Sequence, residues 1–385
     1  MKIKYLLLLS IYFFLFGCSS NKNELSLHIQ NPSTIDRENE MVELSWLNIK
    51  QNLSLKESQS VLIIDNSGKQ VPSQLITNGS DSIELLIFPV TLKAGSSTSF
   101  KLSVGVPDQT PDMVYGRLVP ERKDDFTWEN NRAAYRVYGP ALKATGEISN
   151  GMDYWGKKTD SLIIDKWYEN DLAGKASYHV DHGEGVDFYK VGRTLGLGMT
   201  APIDNDTLCL GHNFVTAEIL DDGPLRISFK LTYDPYMAGA HEITETRIIS
   251  LDAYKLLNKV INVFETNATE LTIATGIVMP EANPEANAAS TTFGDNTGII
   301  AYETPSDKDN GTIYTAAIHP NKYSNIKVAY GHLLGFNSYL PSSQYTYYTG
   351  GGWSKAGFDS FDAWKEYIKV EKAKIEQPLK VKIAQ

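Results

Sequence analysis

Short apolar segments alternate with turn-forming residues along the first hundred positions, and this pattern predicts β-strands. Clusters of Asn, Ser, Gly and Lys at 66–69 and 78–80 are typical of tight turns between strands. Short strands at regular spacing indicate a β-sandwich, so we predict a small N-terminal sandwich over residues 25–106. Its predicted strands are 25–29, 41–46, 61–65, 83–88 and 99–104.

A longer series of strand-like segments follows residues 107–111, where two prolines predict a linker. Many of these segments alternate apolar and polar side chains, so one face of each strand is expected to contact water. Few helical patterns separate them, which favours a large antiparallel sandwich over an α/β fold for residues 112–385. The predicted strands are 133–138, 162–167, 225–233, 243–251, 256–264, 271–278, 298–302 and 313–318, with a further strand possible at 379–383.

One segment near the C-terminus has the periodicity of a helix. Apolar side chains recur at helical spacing from Phe361 to Ile375, Asp359 or Ser360 can cap the N-terminus, and Pro378 ends the pattern. The sequence therefore predicts an all-β protein with two sandwiches and one C-terminal helix that packs on the outside.

The N-terminal residues have the pattern of a secretory signal. Two lysines precede an uncharged apolar run at 6–16, which is too short to span a bilayer. Gly17 and Cys18 end the run as in a bacterial lipobox, although a plain cleaved signal is an alternative. We predict a signal peptide at 1–17, a lipid on Cys18 and a tether at 18–24, which would anchor the protein to the bacterial cell envelope.

The net charge of the chain indicates which classes of partner it is suited to bind. The 385 residues contain 46 Asp and Glu against 36 Lys and Arg, a net charge of −10. Such an acidic chain is a poor candidate for binding nucleic acid. Cys209 is the only cysteine besides Cys18, so no cysteine-based metal site is expected. The 21 tyrosines and 6 tryptophans suit sheet proteins and also suit the faces of sugars.

The highest density of titratable side chains lies at 178–189. If this segment forms a hairpin, an imidazole beside a carboxylate has its tautomer fixed and can act as a general base. We predict a catalytic site here, in a cleft that binds a sugar; the alternative is a polar hairpin braced by its own hydrogen bonds. The candidate catalytic residues are Tyr178, His179, Asp181, His182, Glu184, Asp187 and Tyr189.

A metal is a possible cofactor of the same segment. Asp181, Glu184 and Asp187 supply oxygen ligands at three-residue spacing, which Ca²⁺ could accept together with backbone carbonyls. His179 and His182 could bind Zn²⁺ with Glu184, but the pattern is not HExxH and no third ligand besides the two histidines is as evident in the spacing.

Three further clusters combine charged and aromatic side chains that could hold a sugar. Arginine pairs with carboxylates, lysine neutralises them, and tryptophan stacks on sugar rings. The alternative to sugar binding is a structural role, with the charged residues in a solvated loop and the aromatic residues packed within a sheet. Three glycines at 350–352, directly before Trp353, predict a loop that is held tightly against another part of the protein. The candidate substrate-binding residues are Arg122, Asp125, Trp128, Arg132, Trp155, Lys157, Tyr348 and Trp353.

Four motifs resemble the bacterial family called domain of unknown function 4861. They are Arg-Lys-Asp-Asp-Phe-x-Trp-Glu-Asn at 122–130, Tyr-Gly-Pro-Ala-Leu at 138–142, Tyr-His-x-Asp-His-Gly-Glu-Gly-x-Asp-x-Tyr-x-Val-Gly at 178–192 and Gly-Gly-Trp-Ser-Lys at 351–355. The resemblance implies a polysaccharide-utilisation protein of Bacteroidetes, often found beside pectin- or uronate-degrading enzymes. It also implies that the large domain is a galactose-mutarotase-like supersandwich.

These observations favour an enzyme acting on uronate-containing, pectin-type oligosaccharides. In β-elimination, Lys or Arg would neutralise the uronate, His179 or His182 would abstract a proton, and Tyr178 or Tyr189 would protonate the leaving oxygen. Hydrolysis would use two carboxyl groups from the same segment as acid and base. A non-catalytic glycan-binding lipoprotein and a mutarotase-like isomerase remain alternatives.

Overall fold

The computed structural model describes residues 24–56, 58–280, 288 and 291–384. The predicted signal peptide, Cys18 and all but the last residue of the tether lie outside the described residues, so the lipid anchor stays a prediction. No helix in the described part of the chain is long and apolar enough to cross a membrane.

The N-terminal sandwich consists of two packed antiparallel sheets. In the first strand Leu25, Leu27 and Ile29 are buried while their neighbours are exposed, as the alternating pattern predicts. The Ser45 side chain caps the helix that follows the second strand. The elements are β1 Glu24–Gln30, β2 Arg37–Ser45, α1 Trp46–Leu53, β3 Val61–Ile64, β4 Gln70–Val71, β5 Gln74–Ile76, β6 Leu85–Leu92 and β7 Ser97–Val104.

The last strand of the chain, β27 (Lys380–Ala384), belongs to this first sandwich. It pairs antiparallel with β1, and the sheet order is β27-β1-β7-β3-β4, opposite β2-β6-β5. The sequence placed residues 112–385 together in the second domain. The C-terminal boundary of that domain is wrong, because residues 380–384 pair with β1 and so belong to the first sandwich.

The large domain begins after residues 106–113, which form neither helix nor strand. Three antiparallel sheets build it: a front sheet ordered β12-β11-β10-β9-β8, a side sheet ordered β14-β13-β20-β25-β24, and a central sheet ordered β15-β16-β18-β19-β26-β23-β22-β21, with β17 paired to β18. Their bounds are β8 Val114–Val119, β9 Asp125–Asn130, β10 Ala133–Val137, β11 Met152–Lys157, β12 Gly185–Asp187, β13 Leu197–Asp204, β14 Thr207–Leu208, β15 Phe214–Asp222, β16 Arg226–Tyr233, β17 Tyr236–Ala238, β18 His241–Asp252, β19 Leu257–Glu265, β20 Leu271–Val278, β21 Thr292–Gly294, β22 Ile299–Glu303, β23 Ile313–Ile318, β24 Asn325–Ala329, β25 His332–Tyr339 and β26 Tyr345–Trp353.

The front and side sheets both contact the inner face of the central sheet. From the front sheet, the Tyr154 ring lies against Gly351 of β26. From the side sheet, Met199 Sδ lies 3.5 Å from the Tyr347 hydroxyl, also on β26. One continuous apolar core fills the space between the three sheets. The all-β prediction, with a small and a large antiparallel sandwich, is confirmed.

The predicted C-terminal helix is α4, Phe361–Glu376. The Ser360 side chain caps it by accepting from the amide of Ala363, and Trp364 Nε1 donates to the carbonyl of Thr315 at 3.1 Å. The helix thus packs on the outer face of the central sheet, as predicted. Two short helices of the large domain were not predicted: α2 Pro140–Ala144 and α3 Ile164–Leu172.

Helix α3 replaces a strand that the sequence predicts at 162–167. Its buried side chains Ile164, Trp167 and Tyr168 follow helical spacing. Its first amides, of Ile163 and Ile164, both donate to Glu129 Oε1 of β9 at 2.7 and 2.8 Å. A carboxylate from a distant strand therefore satisfies the start of the helix, which no local pattern reveals.

The glycines at 350–352 also differ from the prediction. They lie inside β26, in the middle of the central sheet, and not in a loop. Aromatic rings from both sides take the space that side chains would fill: Tyr154 covers Gly351, while Phe358 and Trp364 cover Gly352. The glycines therefore serve close packing of the layers.

Candidate functional site

The outer face of the front sheet carries charged side chains from adjacent strands. Along β9, Phe126 and Trp128 point to the core, so Asp125 points to the opposite face. On that opposite face Arg136 of β10 stands directly across from Asp153 of β11. Asp187 of β12 completes the row, since its side chain also reaches Arg136. These four side chains are at most 4% exposed, which is unusual for charged groups.

Arg136 is the centre of this polar cluster. Its Nη2 donates to Asp153 Oδ2 at 2.6 Å and to Asp187 Oδ2 at 2.9 Å. Burial raises the pKa of Asp187 well above its usual range, and the negative charge of Asp153 raises it further. Asp187 therefore holds a proton more readily than an exposed aspartate does.

Asp125 sits between two guanidinium groups without a hydrogen bond to either. Its Oδ2 lies 3.7 Å from Arg122 Nη1 and 4.0 Å from Arg136 Nε, while Oδ1 accepts from the amide of Gly139 at 3.0 Å. Burial raises the pKa of Asp125 to about 6, although both arginines act to lower it. Asp125 Oδ2, Arg122 Nη1 and Arg136 Nε are buried atoms without a hydrogen-bond partner among the described residues.

The arginine cleft, a cavity of about 500 Å³, opens beside this cluster. Arg122 and Arg136 line it together with Tyr138, Ser149 and Arg193. Ser149 Oγ is another buried atom for which the described residues offer no partner. The cleft has the size of a small-molecule site, and Arg122, Arg136 and Ser149 in its lining each carry a buried polar atom without a hydrogen-bond partner among the described residues.

His179 and Tyr178 join the polar cluster from the loop before β12. His179 Nδ1 lies 2.9 Å from the carbonyl oxygen of Asp187 and 3.6 Å from its Oδ2. Because a carbonyl only accepts, Nδ1 carries the hydrogen and Nε2 is left as a base. The Tyr178 hydroxyl accepts from Arg122 Nε and Arg136 Nη1, both at 3.4 Å.

Comparison with known proteins identifies the family. The sequence profile described as domain of unknown function, DUF4861, matches residues 29–381. The chain belongs to the DUF4861 family. The uncharacterised protein P7 of Formosa agariphila is 28% identical over 387 residues, which cover 95% of either chain.

Two solved structures share the fold of this DUF4861 protein. A glycosyl hydrolase family 38 protein from Enterococcus faecalis has a TM-score of 0.53 at 11% identity, over 94% of this chain and 48% of its own. An α-mannosidase from E. faecalis V583 has a TM-score of 0.52 at 11% identity, over 94% and 46%. The chain thus spans about half the length of these relatives, and at this identity the likeness concerns the fold alone.

The structure separates the acidic residues that the sequence grouped at 178–189. Asp181 pairs with Lys158 at 2.5 Å, and Glu184 pairs with Lys166 at 2.7 Å. Asp187 alone reaches the buried cluster. The predicted hairpin does not form either, because residues 176–184 are turn and loop and only Gly185–Asp187 is a strand. The described residues contain no group of three His, Cys, Asp or Glu side chains that could hold a metal, and the three carboxylates named as possible calcium ligands are not gathered in one place.

Four aromatic residues predicted to contact substrate or take part in catalysis lie in the interior of this DUF4861 protein. Trp128 donates to Asn258 Oδ1 at 2.7 Å, and Trp353 donates to the carbonyl of Asn310. The other two are Trp155, stacked between Trp167 and Tyr178, and Tyr189, whose hydroxyl is buried in the core. Each side chain is at most 7% exposed and none of the four lines the arginine cleft, so these predictions were wrong.

The remaining candidates lie away from the cluster. Lys157 is fully buried in a pair with Glu129, which corrects its assignment to a uronate. Arg132 is exposed at the turn that begins β10, whereas Arg136 lies near the other end of that strand. Tyr348 lies on the outer face of the central sheet, in a separate cleft of about 370 Å³ beside β2 and α4.

Sequence reasoning missed Arg136, Asp153 and Tyr138 as site residues. The available signal was a charged side chain inside an otherwise apolar strand, Ala133–Val137, because such a charge requires a buried partner. Of the predicted residues, Arg122, Asp125, Tyr178, His179 and Asp187 do meet in one cluster.

We expect Asp125→Asn to change the pH dependence of stability. A folded-state pKa near 6, above the ordinary value, means that the stabilising contribution is full below about pH 4 and is lost as the pH rises through 6. Asn keeps the acceptor for the Gly139 amide and cannot ionise. Relative to wild type, the variant should therefore gain about 3 kcal/mol between pH 4 and pH 7.5, measured by urea unfolding at both values.

Asp181→Asn is the matched control for this experiment. Burial alone would raise the pKa of Asp181, but hydrogen bonds from Lys158 and from the amide of Gly183 hold it below its usual range. Its stabilising contribution is lost only as the pH falls below the ordinary value of 3.8, so the stability of the control relative to wild type should change little between pH 4 and pH 7.5. An Asp125→Asn variant with the pH profile of wild type would contradict the raised pKa.

Proposed function

We propose that this DUF4861 protein binds a uronate-containing oligosaccharide in the arginine cleft and cleaves it by β-elimination. The observation that carries the proposal is that Arg122 and Arg136 line the cleft. Arg122 Nη1 and Arg136 Nε, both near Asp125 Oδ2, have no hydrogen-bond partner among the described residues. A sugar carboxylate is the ligand that two such guanidinium groups hold best.

The charge of the cluster supports an anionic ligand. Arg122 and Arg136 contribute two positive charges, while the raised pKa values of Asp125 and Asp187 reduce the negative charge that opposes them. Guanidinium groups in a partly desolvated cleft attract a carboxylate and strengthen its hydrogen bonds.

His179 and Tyr178 have the chemistry that elimination needs. With the uronate carboxylate neutralised, the proton on the adjacent carbon becomes acidic, and His179 Nε2 removes it. The electron pair forms a carbon–carbon double bond as the bond to the leaving oxygen breaks. The Tyr178 hydroxyl accepts from two arginines, so its own hydrogen is available for that oxygen.

The fold supports a carbohydrate as the ligand class, since one structural neighbour is a glycosyl hydrolase family 38 protein and another is an α-mannosidase. Hydrolysis is the second candidate reaction, and one observation favours it. Asp125, with a pKa near 6 and an unpartnered Oδ2, suits a general acid, and Asp187, whose pKa is also raised, lies in the same cluster.

The test compares two exposed histidines on oligogalacturonates. His179→Ala should lower the rate of turnover by about 100-fold or more, because it removes the base. His28→Ala is the matched control: His28 is also exposed, but it lies on β1 of the N-terminal sandwich, where its Nδ1 contacts Ser99 Oγ. The measurement is the ultraviolet absorbance of the unsaturated product, with calorimetry for binding.

The outcomes separate the alternatives. New reducing ends without ultraviolet absorbance would replace elimination by hydrolysis. Binding that depends on Arg136 but yields no product would leave a glycan-binding protein. An unchanged rate in His179→Ala would remove His179 from the mechanism, and a wild-type protein that neither binds nor converts uronates would overturn the proposal.

A further inference from the structure

A second cavity lies next to the polar cluster and is separate from the arginine cleft. This small cleft has a volume of about 260 Å³ and is lined by Lys166, Trp167, Asn170, Tyr178, Val180 and Glu184, with His182 at its side. The volume is near the lower end of the range of about 300–1,000 Å³ for small-molecule sites.

Aromatic rings form one wall of the small cleft. Trp167 and Tyr178 are each more than nine-tenths buried, and both stack on Trp155, at 5.8 and 5.2 Å between ring centroids. Val180 contributes an apolar side chain that is 55% exposed. A rigid aromatic wall with an apolar rim suits the apolar face of a sugar ring.

The polar groups of the small cleft sum to no net charge. Glu184 accepts from Lys166 at 2.7 and 2.8 Å, and this hydrogen bond keeps the pKa of Glu184 below its usual range. The Asn170 amide adds a neutral donor and acceptor. Such a set can hydrogen-bond hydroxyl groups but offers a carboxylate no unpaired cation, in contrast to the arginine cleft.

Tyr178 connects the two cavities. Tyr178 lines the small cleft, while its hydroxyl contacts Arg122 and Arg136, two residues that line the arginine cleft. A ligand that occupies both cavities would therefore pass the Tyr178 hydroxyl at the junction between two sugar rings.

We infer that the small cleft binds a neutral pyranose ring joined to the uronate that occupies the arginine cleft. This inference rests on the proposed function and refines it: the preferred ligand pairs an acidic sugar with a neutral one and is not a run of uronates. Val180 and Asn170 then determine specificity for the neutral ring.

The experiment fills the small cleft. Val180→Trp adds a large side chain at an exposed position, so it blocks the cleft without disturbing the core. Leu172→Trp is the matched control, because Leu172 is an equally exposed apolar residue, 57% against 55%, outside both clefts. Binding of digalacturonate and of a galacturonate joined to a neutral hexose is measured by calorimetry for each variant.

We expect wild type to bind the mixed disaccharide at least about tenfold more tightly than digalacturonate. Val180→Trp should abolish that preference while digalacturonate binding is retained, and Leu172→Trp should keep it. A preference that survives Val180→Trp, or is absent in wild type, would overturn the inference.

A separate arm keeps this test independent of the proposed function. If neither disaccharide binds to wild type, the uronate proposal fails, and neutral methyl hexosides are then tested alone by saturation-transfer NMR. Contacts that disappear in Val180→Trp and persist in Leu172→Trp would support a neutral-sugar site. Equal signals in both variants, or no signal in wild type, would exclude it.

Discussion

Replacing Lys157 by Met is expected to lower the free energy of unfolding by about 3–5 kcal/mol. Lys157 and Glu129 form a fully buried pair at 2.5 Å, so the substitution leaves the Glu129 carboxylate buried without its cation. Glu129 also holds the first amides of α3 through its second oxygen. The start of this helix, which carries Trp167, should therefore loosen as well.

Lys158→Met is the control for this prediction, because Lys158 is the next residue along the chain and also pairs with a carboxylate. Its pair with Asp181 is partly exposed, 28% and 15%, and should contribute about 0–1 kcal/mol. Chemical unfolding of both variants gives the comparison. Equal stabilities for the two variants would mean that the buried pair is not the stabilising contact that its geometry indicates.

Replacing Gly350 by Ala is expected to lower the free energy of unfolding by more than about 4 kcal/mol or to prevent folding. A Cβ atom at this position would lie 1.8 Å from the carbonyl oxygen of Leu256, which is backbone and cannot move aside like a flexible side chain. Gly350 also lies within β26, whose neighbours β19 and β23 pair on both sides.

Gly357→Ala tests whether the loss comes from crowding. Gly357 has no heavy atom within 4 Å of an added Cβ, although its φ of +99° makes Ala unfavourable by about 1 kcal/mol. The measurements are the yield of folded protein and the thermal midpoint of unfolding, compared between the two variants. A Gly350→Ala protein as stable as Gly357→Ala would argue against tight packing at β26.

The regular parts of the fold could be predicted from the sequence because their signals are local. The long strands β18, β19 and β20 lie where alternating side chains predicted strands, and Ser360 caps α4 as expected. Helix α3 could not be predicted, because the group that satisfies its first amides belongs to Glu129, a residue distant in the chain.

The candidate site was predictable only in part, for the same reason. Tyr178, His179 and Asp187 were found because titratable groups are dense in one segment. Their main partner, Arg136, lies on another strand, and only the pairing of β10 with β11 and of β11 with β12 brings it to them. For an isolated tryptophan such as Trp128, the sequence alone does not show on which face of the strand the side chain lies. The same sequence pattern is therefore compatible with stacking on a sugar and with burial in the core.

The pairing of β1 with β27 has a consequence for biosynthesis. The first sandwich needs residues 380–384 to complete its sheet, and these leave the ribosome after the whole large domain has been made. The usual order, in which the N-terminal domain folds first during translation, therefore cannot be completed here. Until then one edge of β1 remains open to pairing with another chain, so a first sandwich that folds early carries a risk of aggregation through this edge.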